Sequence, residues 1–492
     1  MKKANKVLEQ NKRELLPSSL EERNVSLGGY FAMWIGMAVI IATYALGGSG
    51  IESISLGWLI FACLIANVIC GIFITLSGDI GVEHGVPFPL YLRVTFGPVG
   101  SALPSLIRGL LACCWTGIQT YYGATALSFI VAYFTGFDNW FVCYVVFLAA
   151  QIINAMFGVD AIEKFAFIAA PSIIAISIWI VYNLVGVAQE NAIDLWHSIY
   201  VPGSGAMFAT KGVAFSVFIA TVSTNMSYWS TSAADTQSLT KYVKVPAGER
   251  NWFRRNRNCL CAHLIALPVV QTFCIVIGAL STLSYGKWNP IEALQETASG
   301  IGLVILMLLI LLAQWSTNTA ASILPGAMTF MNIVKMLFKK NMPFKAGVVI
   351  VGIIALCSFP WEIMVRFGGF MNVMGSAYGP ICGVFMADYY VLRRRRLNVP
   401  DLYREKDGQY YYAGGWNIPG IIALVCGVAG GLTFGGFSFL VSITVAFVIY
   451  FVLAKVWWFR MYPQAEISSG YDEKFLGISN NNLWQDLDVD LK

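Results

Sequence analysis

Long apolar runs separated by short polar segments dominate the chain. A helix needs roughly 20 apolar residues to cross the hydrocarbon core of a bilayer. Twelve such runs lie near residues 28–48, 53–77, 102–133, 139–157, 162–187, 208–233, 258–283, 299–325, 346–360, 367–390, 416–436 and 438–458. Because the runs are continuous and not alternating, they argue against a β-barrel. They predict an all-α polytopic membrane protein with twelve transmembrane helices.

The basic residues support this count and indicate its orientation. Of the 32 Lys and Arg residues, 28 lie in the two tails and the even-numbered connections, which the positive-inside rule places in the cytoplasm. The sequence therefore predicts a multi-pass protein of the cell membrane with both termini cytoplasmic. Its predicted parts are an N-terminal tail over 1–27, a ten-helix core over 28–390, a basic cytoplasmic loop over 391–415, two additional helices over 416–458 and a C-terminal tail over 459–492.

Composition narrows the class of function. Hydrophobic residues make up 57% of the chain and charged residues 12%, about half the charge of a soluble protein, which excludes a cytosolic enzyme. The basic residues behind the net charge of +5 lie in loops beside apolar runs, which argues against a nucleic-acid partner. The eleven cysteines lack paired metal-site spacing, and no cofactor or obligate protein partner is expected.

Polar residues concentrate in the middle of the sixth run, where a lipid-facing helix would carry few. Eight Ser, Thr and Asn side chains lie within the twelve residues from Thr221 to Ser232. Hydroxyls that bond back to their own helix account for some of them. The density favours an unwound or cavity-lining segment.

Two other runs carry polar groups at mid-span. Ser316 and Thr317 in the eighth run are adjacent hydroxyls, suited either to a hard cation such as sodium or to helix–helix hydrogen bonds. Trp115 and Gln119 in the third run share one helix face. An indole ring can stack on a flat ligand while a carboxamide donates and accepts, although packing within the bundle is the alternative. Gly36 in the first run marks either a close backbone approach or a packing contact.

Several motifs together resemble those of the nucleobase–cation symporter family, which includes hydantoin, allantoin and cytosine permeases. The resemblance runs from about residue 20 to about 460. Its motifs are Pro87-Phe88-Pro89 with Arg93 and Phe96-Gly97, the segment Trp115 to Gln119, Trp315-Ser316-Thr317-Asn318, Gly379-Pro380 with Ala387-Asp388-Tyr389-Tyr390, the run Arg393 to Arg396, and Asp401-Leu402-Tyr403. The resemblance implies a leucine-transporter-like fold: an inverted five-plus-five repeat with discontinuous first and sixth helices, plus two extra helices.

The resemblance also implies a sodium site between the first and eighth helices. Its ligands would be the backbone carbonyls of Gly36, Val39 and Ala313 and the hydroxyls of Ser316 and Thr317. Other members of the family use protons, so proton coupling is the alternative.

The family's substrate positions match this chain only in part. Ile40 replaces the polar contact of the first helix, Met226 the aromatic group of the sixth and Ser322 the amide of the eighth. Trp229, one helical turn beyond Met226, is the candidate for a second stacking face. The candidate substrate-binding residues are therefore Trp115, Gln119, Ile40, Asn225, Met226, Trp229, Asn318 and Ser322.

These observations predict a secondary active transporter that imports a small planar nitrogen-containing solute, such as a nucleobase, allantoin or hydantoin, with a cation. The expected partners are this solute and the lipid bilayer. Alternatives are a carrier of the same fold for a non-nucleobase amine or vitamin-like solute, and a channel, which the confined polar clusters disfavour. A membrane enzyme is disfavoured because His84, His197 and His263 lack a nucleophile or metal ligands at diagnostic spacing.

Overall fold

A computed structural model describes residues 16–157, 177–209, 212–246, 248–297, 299–404 and 406–467. Within these ranges the architecture is helical except for one two-stranded antiparallel sheet, formed by β1 (Ser198–Val201) and β2 (Gly205–Phe208). Ser198 pairs with Phe208 at one end of this hairpin. The predicted span at 162–187 lies largely outside the described residues, of which 177–190 are helical.

The helices are numbered in chain order. The part of the chain before the sheet contains α1 (Leu27–Ala38), α2 (Ile41–Ile51), α3 (Leu56–His84), α4 (Phe88–Phe96), α5 (Ala102–Thr135), α6 (Trp140–Phe157) and α7 (177–190). The sheet is followed by α8 (Phe215–Tyr228), α9 (Ser230–Asp235), α10 (Gln237–Thr240), α11 (Trp252–Arg255), α12 (Arg257–Tyr285), α13 (Pro290–Thr297) and α14 (Gly300–Phe338). The last helices are α15 (Phe344–Cys357), α16 (Pro360–Val365), α17 (Phe367–Leu392), α18 (Ile418–Thr433) and α19 (Gly435–Met461), with 3₁₀ turns at Pro400–Leu402 and Gln409–Tyr411.

Helix length and hydropathy show a multi-pass membrane protein. Within the described ranges, five helices (α3, α12, α14, α17 and α19) are each long and apolar enough to cross a bilayer. The pairs α1–α2, bent by 57°, and α5–α6, bent by 115°, pass the same test together. Two further apolar helices, α15 and α18, are shorter. The count of twelve spans stays a prediction.

Two predicted span boundaries are wrong, and local backbone geometry explains both. The span predicted over 208–233 begins as a helix only at Phe215, since the β hairpin extends to Phe208 and the described residues 212–214 are not helical. The span predicted over 346–360 ends at Cys357. Phe359 adopts a left-handed conformation with φ of 49°, and Pro360 then begins a separate helix, where its missing N–H costs nothing.

Glycines bring two central helices into backbone contact. A Cβ placed on Gly278 of α12 would overlap the Tyr44 carbonyl of α2, and one on Gly47 would overlap the Ile275 carbonyl. Small residues permit such close approach in membrane proteins. This contact fixes α12 against the second half of the first predicted span, next to the point where that span breaks.

Candidate functional site

The chain leaves helical geometry between α1 and α2, at Val39 and Ile40. Ile40 is extended, with φ of −129° and ψ of 151°, and its N–H donates to the Ala38 carbonyl over 3.1 Å. The last four carbonyls of a helix lack partners within it, and they carry a partial negative charge. A Cβ on Gly36 would meet no atom within 4 Å. Among the described residues, neither a packing contact nor a close backbone approach is therefore seen at the Cβ position of Gly36.

The sixth predicted span is also discontinuous, but only at Trp229. This residue lies between α8 and α9, with φ of −95° and ψ of 7°. The sequence favoured an unwound or cavity-lining segment; the described part is unwound at Trp229 alone, and most of its polar side chains bond to their own helix. Donors to the carbonyl four residues earlier, at 2.9 to 3.0 Å, are Thr221, Thr224, Asn225 and Ser227.

Some buried polar atoms of the sixth span remain without a hydrogen-bond partner among the described residues. They include Ser223 Oγ, Asn225 Oδ1 and Trp229 Nε1. Buried polar atoms in native proteins are rarely unpaired, so each such atom needs an explanation. A solute that binds beside the break is one explanation.

A hydroxyl pair connects the two breaks. Thr43 Oγ1 donates to the Ala38 carbonyl over 3.0 Å and lies 2.9 Å from Tyr228 OH. Because the single hydroxyl proton of Thr43 is used on Ala38, Tyr228 donates to Thr43. The Trp115 ring meets the Tyr228 ring edge-to-face at 5.5 Å and the Phe370 ring at 5.7 Å. Trp115 therefore lies where the third, sixth and tenth predicted spans converge.

Gln119 reaches across to the eighth predicted span. Its Nε2 donates to Ser322 Oγ over 3.2 Å, whereas its buried Oε1 has no partner within the described ranges. Ser322 belongs to a π-helical turn, Thr319–Ile323, a feature that is frequent at functional sites. The structure thus brings together two predicted substrate residues and leaves one acceptor free.

Unlike Gln119, Asn318 uses its side-chain amide for hydrogen bonds between helices. Its Nδ2 donates to the Thr116 carbonyl at 3.1 Å, to Thr120 Oγ1 at 3.1 Å and to Gln151 Oε1 at 2.9 Å. These bonds connect α14 to α5 and α6, and Asn318 is fully buried. Its carboxamide nitrogen therefore stabilises helix packing.

The predicted cation ligands of the eighth span share one helix face. Ala313, Ser316 and Thr317 lie at positions i, i+3 and i+4 of α14. Ala313 and Ser316 are buried, and Thr317 is half-buried. This spacing allows one carbonyl and two hydroxyls to approach a common point.

Comparison with known proteins shows the family. Residues 17–458 match a family of permeases for cytosine/purines, uracil, thiamine and allantoin. The chain belongs to this family. The permease is 27% identical to the hydantoin permease of Microbacterium maritypicum over 465 residues, which cover 94% of this chain and 92% of that one. It is also 27% identical to the allantoin permease of Bacillus subtilis, with 90% and 93% covered.

Solved structures agree with this assignment. The permease is similar to the inward-facing conformation of Mhp1, with a TM-score of 0.81, 26% identity and coverage of 93% and 95%. It is also similar to the closed conformation of Mhp1, a nucleobase-cation-symport-1 family transporter with bromovinylhydantoin bound, with a TM-score of 0.78, 25% identity and coverage of 96% and 99%. The leucine-transporter-like fold is confirmed, and the permease is a transporter and not an enzyme.

Two aromatic residues that the sequence analysis missed lie beside Trp115. They are Tyr228 and Phe370, whereas Trp229 packs on Trp34 and Tyr228, each at 5.5 Å. Tyr228 could have been suspected from its place in the polar cluster of the sixth span. No pattern in the sequence distinguished Phe370 from other apolar residues of its span.

Met226 and Arg108 both contribute contacts around the break of the sixth span. Met226 is fully buried, and its carbonyl accepts the Trp229 N–H over 3.1 Å. Arg108, seven residues before Trp115, forms an ion pair with Asp235 at 2.6 Å. This pair connects α5 with α9, immediately beyond the break of the sixth span.

Proposed function

We propose that this permease imports a small planar nitrogen-containing solute, such as a nucleobase, allantoin or hydantoin, together with a cation. It acts in the cell membrane with both termini in the cytoplasm. The observation that carries this proposal is the position of the Trp115 ring, which packs on Tyr228 beside the break of the sixth span. One turn along the same helix face, Gln119 adds a buried, unpaired acceptor.

Recognition of the solute would use both kinds of contact. Tyr228 and Phe370 hold the Trp115 ring by edge-to-face contacts, so the indole is oriented before a flat solute stacks on it. Ser322 fixes the Gln119 nitrogen, which leaves Gln119 Oε1 to accept a ring N–H. The N-terminal end of α2 carries partial positive charge, which suits a ring carbonyl.

The cation would bind between the first and eighth spans. The carbonyls of Gly36, Val39 and Ala313 and the hydroxyls of Ser316 and Thr317 form the oxygen set that sodium prefers. The end of α1 at Ala38 and the shared face of the α14 residues support this set. A proton is the alternative coupling ion.

Coupling in this proposal requires the cation site and the solute site to adjoin the same helix break. A cation that joins α1 to α14 orders the break beside which the solute binds, so each ligand raises the affinity for the other. In this fold class, alternating access then exposes a site near the bilayer midplane to one side at a time.

A second candidate solute class is supported by the replacements at Ile40 and Met226. Both residues are apolar, so the pocket offers fewer directed contacts than one with polar and aromatic groups there. Such a pocket suits a non-nucleobase amine or a vitamin-like solute. The matched family's description includes thiamine.

Uptake in a transporter-deficient host tests the proposal. Labelled uracil, allantoin, hydantoin and thiamine would be supplied with and without sodium, and with the proton gradient intact or collapsed. We expect saturable, counter-gradient accumulation of one chemically unchanged planar solute, stimulated by sodium and competed by related rings. Absence of saturable uptake of all four, or uptake insensitive to both gradients, would contradict the proposal.

A further inference from the structure

Gln271 is a buried carboxamide without a partner. It lies within α12 and is fully buried. Neither Nε2 nor Oε1 has a hydrogen-bond partner among the residues that the structure describes. Burial of an unpaired amide is unfavourable, and native proteins seldom tolerate it. A partner that comes and goes, such as a transported solute, accounts for both unpaired atoms.

The register between α12 and the first span shows what Gln271 faces. Tyr30 OH of α1 lies 2.9 Å from His263 Nε2 in α12, 233 positions apart. Farther along, the Tyr44 carbonyl of α2 lies against Gly278, at nearly the same separation in sequence. The two spans therefore run parallel with a constant offset on both sides of the break.

This offset places Gln271 level with residues 37–38, in the last turn of α1. Gln271 precedes Ile275 by four residues and Gly278 by seven, so the three share one helix face. The backbone at Ile275 and Gly278 contacts α2. The Gln271 side chain therefore lies on the face of α12 that is turned toward the first span, next to the break before Ile41.

We propose that Gln271 is a further substrate-binding residue, whose carboxamide pairs with an adjacent N–H and C=O of the solute ring. This inference rests on the proposed function. A lactam, imide or urea edge satisfies the unpaired donor and the unpaired acceptor together, whereas a cation would satisfy only Oε1. Gln271 thus supplies, from the seventh predicted span, the polar contact that Ile40 does not provide.

The test compares two neighbouring variants. Gln271→Leu removes both hydrogen-bonding groups with little change in volume. Thr272→Val is the control, because Thr272 is also buried but points about 100° away and bonds to Cys63 Sγ at 3.3 Å. The probe is whichever of uracil, allantoin or hydantoin the wild type takes up best, with its ring N-methyl derivatives as competitors.

We expect Gln271→Leu to raise the half-saturation concentration of the probe about tenfold or more, as the loss of a buried polar contact implies. Its preference for the parent ring over the N-methyl derivative should fall by a similar factor. Thr272→Val should change neither, and the sodium half-saturation, measured with the solute saturating, should stay the same in both variants.

Unchanged ring preference in Gln271→Leu at normal membrane abundance would overturn the inference, as would a change confined to sodium dependence. Gln271→Met is the second variant if Gln271→Leu is poorly inserted. If both Gln271 variants fail to reach the membrane while Thr272→Val does reach it, Gln271 has a structural role, and this result would also overturn the inference. Absence of saturable wild-type uptake would instead contradict the proposed function itself.

Discussion

Two buried polar regions of the permease are built in opposite ways. The first region, here called the anchor cluster, consists of Arg393, Asp388 and Glu466, whose side chains are all fully buried. Arg393 forms ion pairs with Asp388, at 2.7 Å, and with Glu466. Asp388 also accepts hydrogen bonds from Tyr91 at 2.9 Å and Tyr450 at 2.8 Å. Around the helix breaks, by contrast, several amide and indole atoms lack partners in the described part of the chain.

A second buried charged group lies between the C-terminal end of α3 and the segment that precedes α12. Asp79 pairs with Arg255 at 2.6 Å and accepts from Asn256 at 2.7 Å, while Arg255 also pairs with Glu83. These contacts tie α3 to α11 and to Asn256, which directly precedes α12. Buried charges paired in this way fix one architecture, whereas unpaired neutral atoms at the breaks leave hydrogen-bonding capacity for a ligand. The comparison therefore contrasts charge-paired clusters with unpaired neutral groups within one membrane domain.

The largest expected effect comes from breaking the anchor cluster. Arg393→Met leaves the Asp388 and Glu466 carboxylates buried without a counter-charge, which should cost about 3–5 kcal/mol of stability. Denaturant unfolding in detergent micelles measures this loss. Arg394→Met at the exposed next position is the control and should stay within about 0.5 kcal/mol. Equal stability of Arg393→Met and wild type would remove the distinction between the two regions.

The next effect concerns the cation. Changing Ser316 and Thr317 together to Ala removes two of the five proposed oxygen ligands, so the sodium half-saturation of uptake should rise by about tenfold or more. Thr329→Ala in the same helix is the control, because that hydroxyl bonds to the Pro325 carbonyl at 2.8 Å. Unchanged sodium dependence in the double variant would contradict the assignment of these two ligands.

The pocket variants should affect affinity while leaving folding intact. Gln119→Leu should lose about 1–3 kcal/mol of solute binding because polar groups of the ring become unpaired, and Trp115→Ala about 1 kcal/mol of stacking. Uptake kinetics at matched membrane abundance measure both. Thr125→Val, whose hydroxyl bonds to the Tyr122 carbonyl at 2.9 Å, should behave as wild type. Normal transport by both pocket variants would show that Gln119 and Trp115 only pack within the helix bundle.

The smallest effect is a change of preference. Ile40→Gln, Met226→Trp and Ser322→Asn, combined, should shift selectivity toward hydantoins or allantoin, by less than about tenfold, because specificity is a difference of affinities. Competition assays against the original solute measure the shift. A folded triple variant that keeps its original affinity and gains none for those rings would show that these residues lie outside the site.

The sequence predicted what depends on local pattern and missed what depends on long-range packing. Hydrophobic runs predicted the helices, and helical spacing paired Trp115 with Gln119. The sequence could not show that the Asn318 amide is used between helices or that Arg108 meets Asp235, because each partner lies more than 100 positions away. The sequence did not indicate Gln271 for the same reason, since only the register of α12 against the first span places its amide beside the helix break.

The complete burial of the anchor cluster has a consequence for measurements of ion dependence. Mobile ions screen charges that they can approach, over a Debye length of about 8–10 Å at ordinary ionic strength. An exposed pair such as His197–Asp194, at 48% and 44% side-chain exposure, is open to such screening, whereas the Arg393 network is not. Replacing sodium chloride by choline chloride at constant ionic strength should therefore leave the scaffold unperturbed. Any change in uptake then reports on the selective ion site.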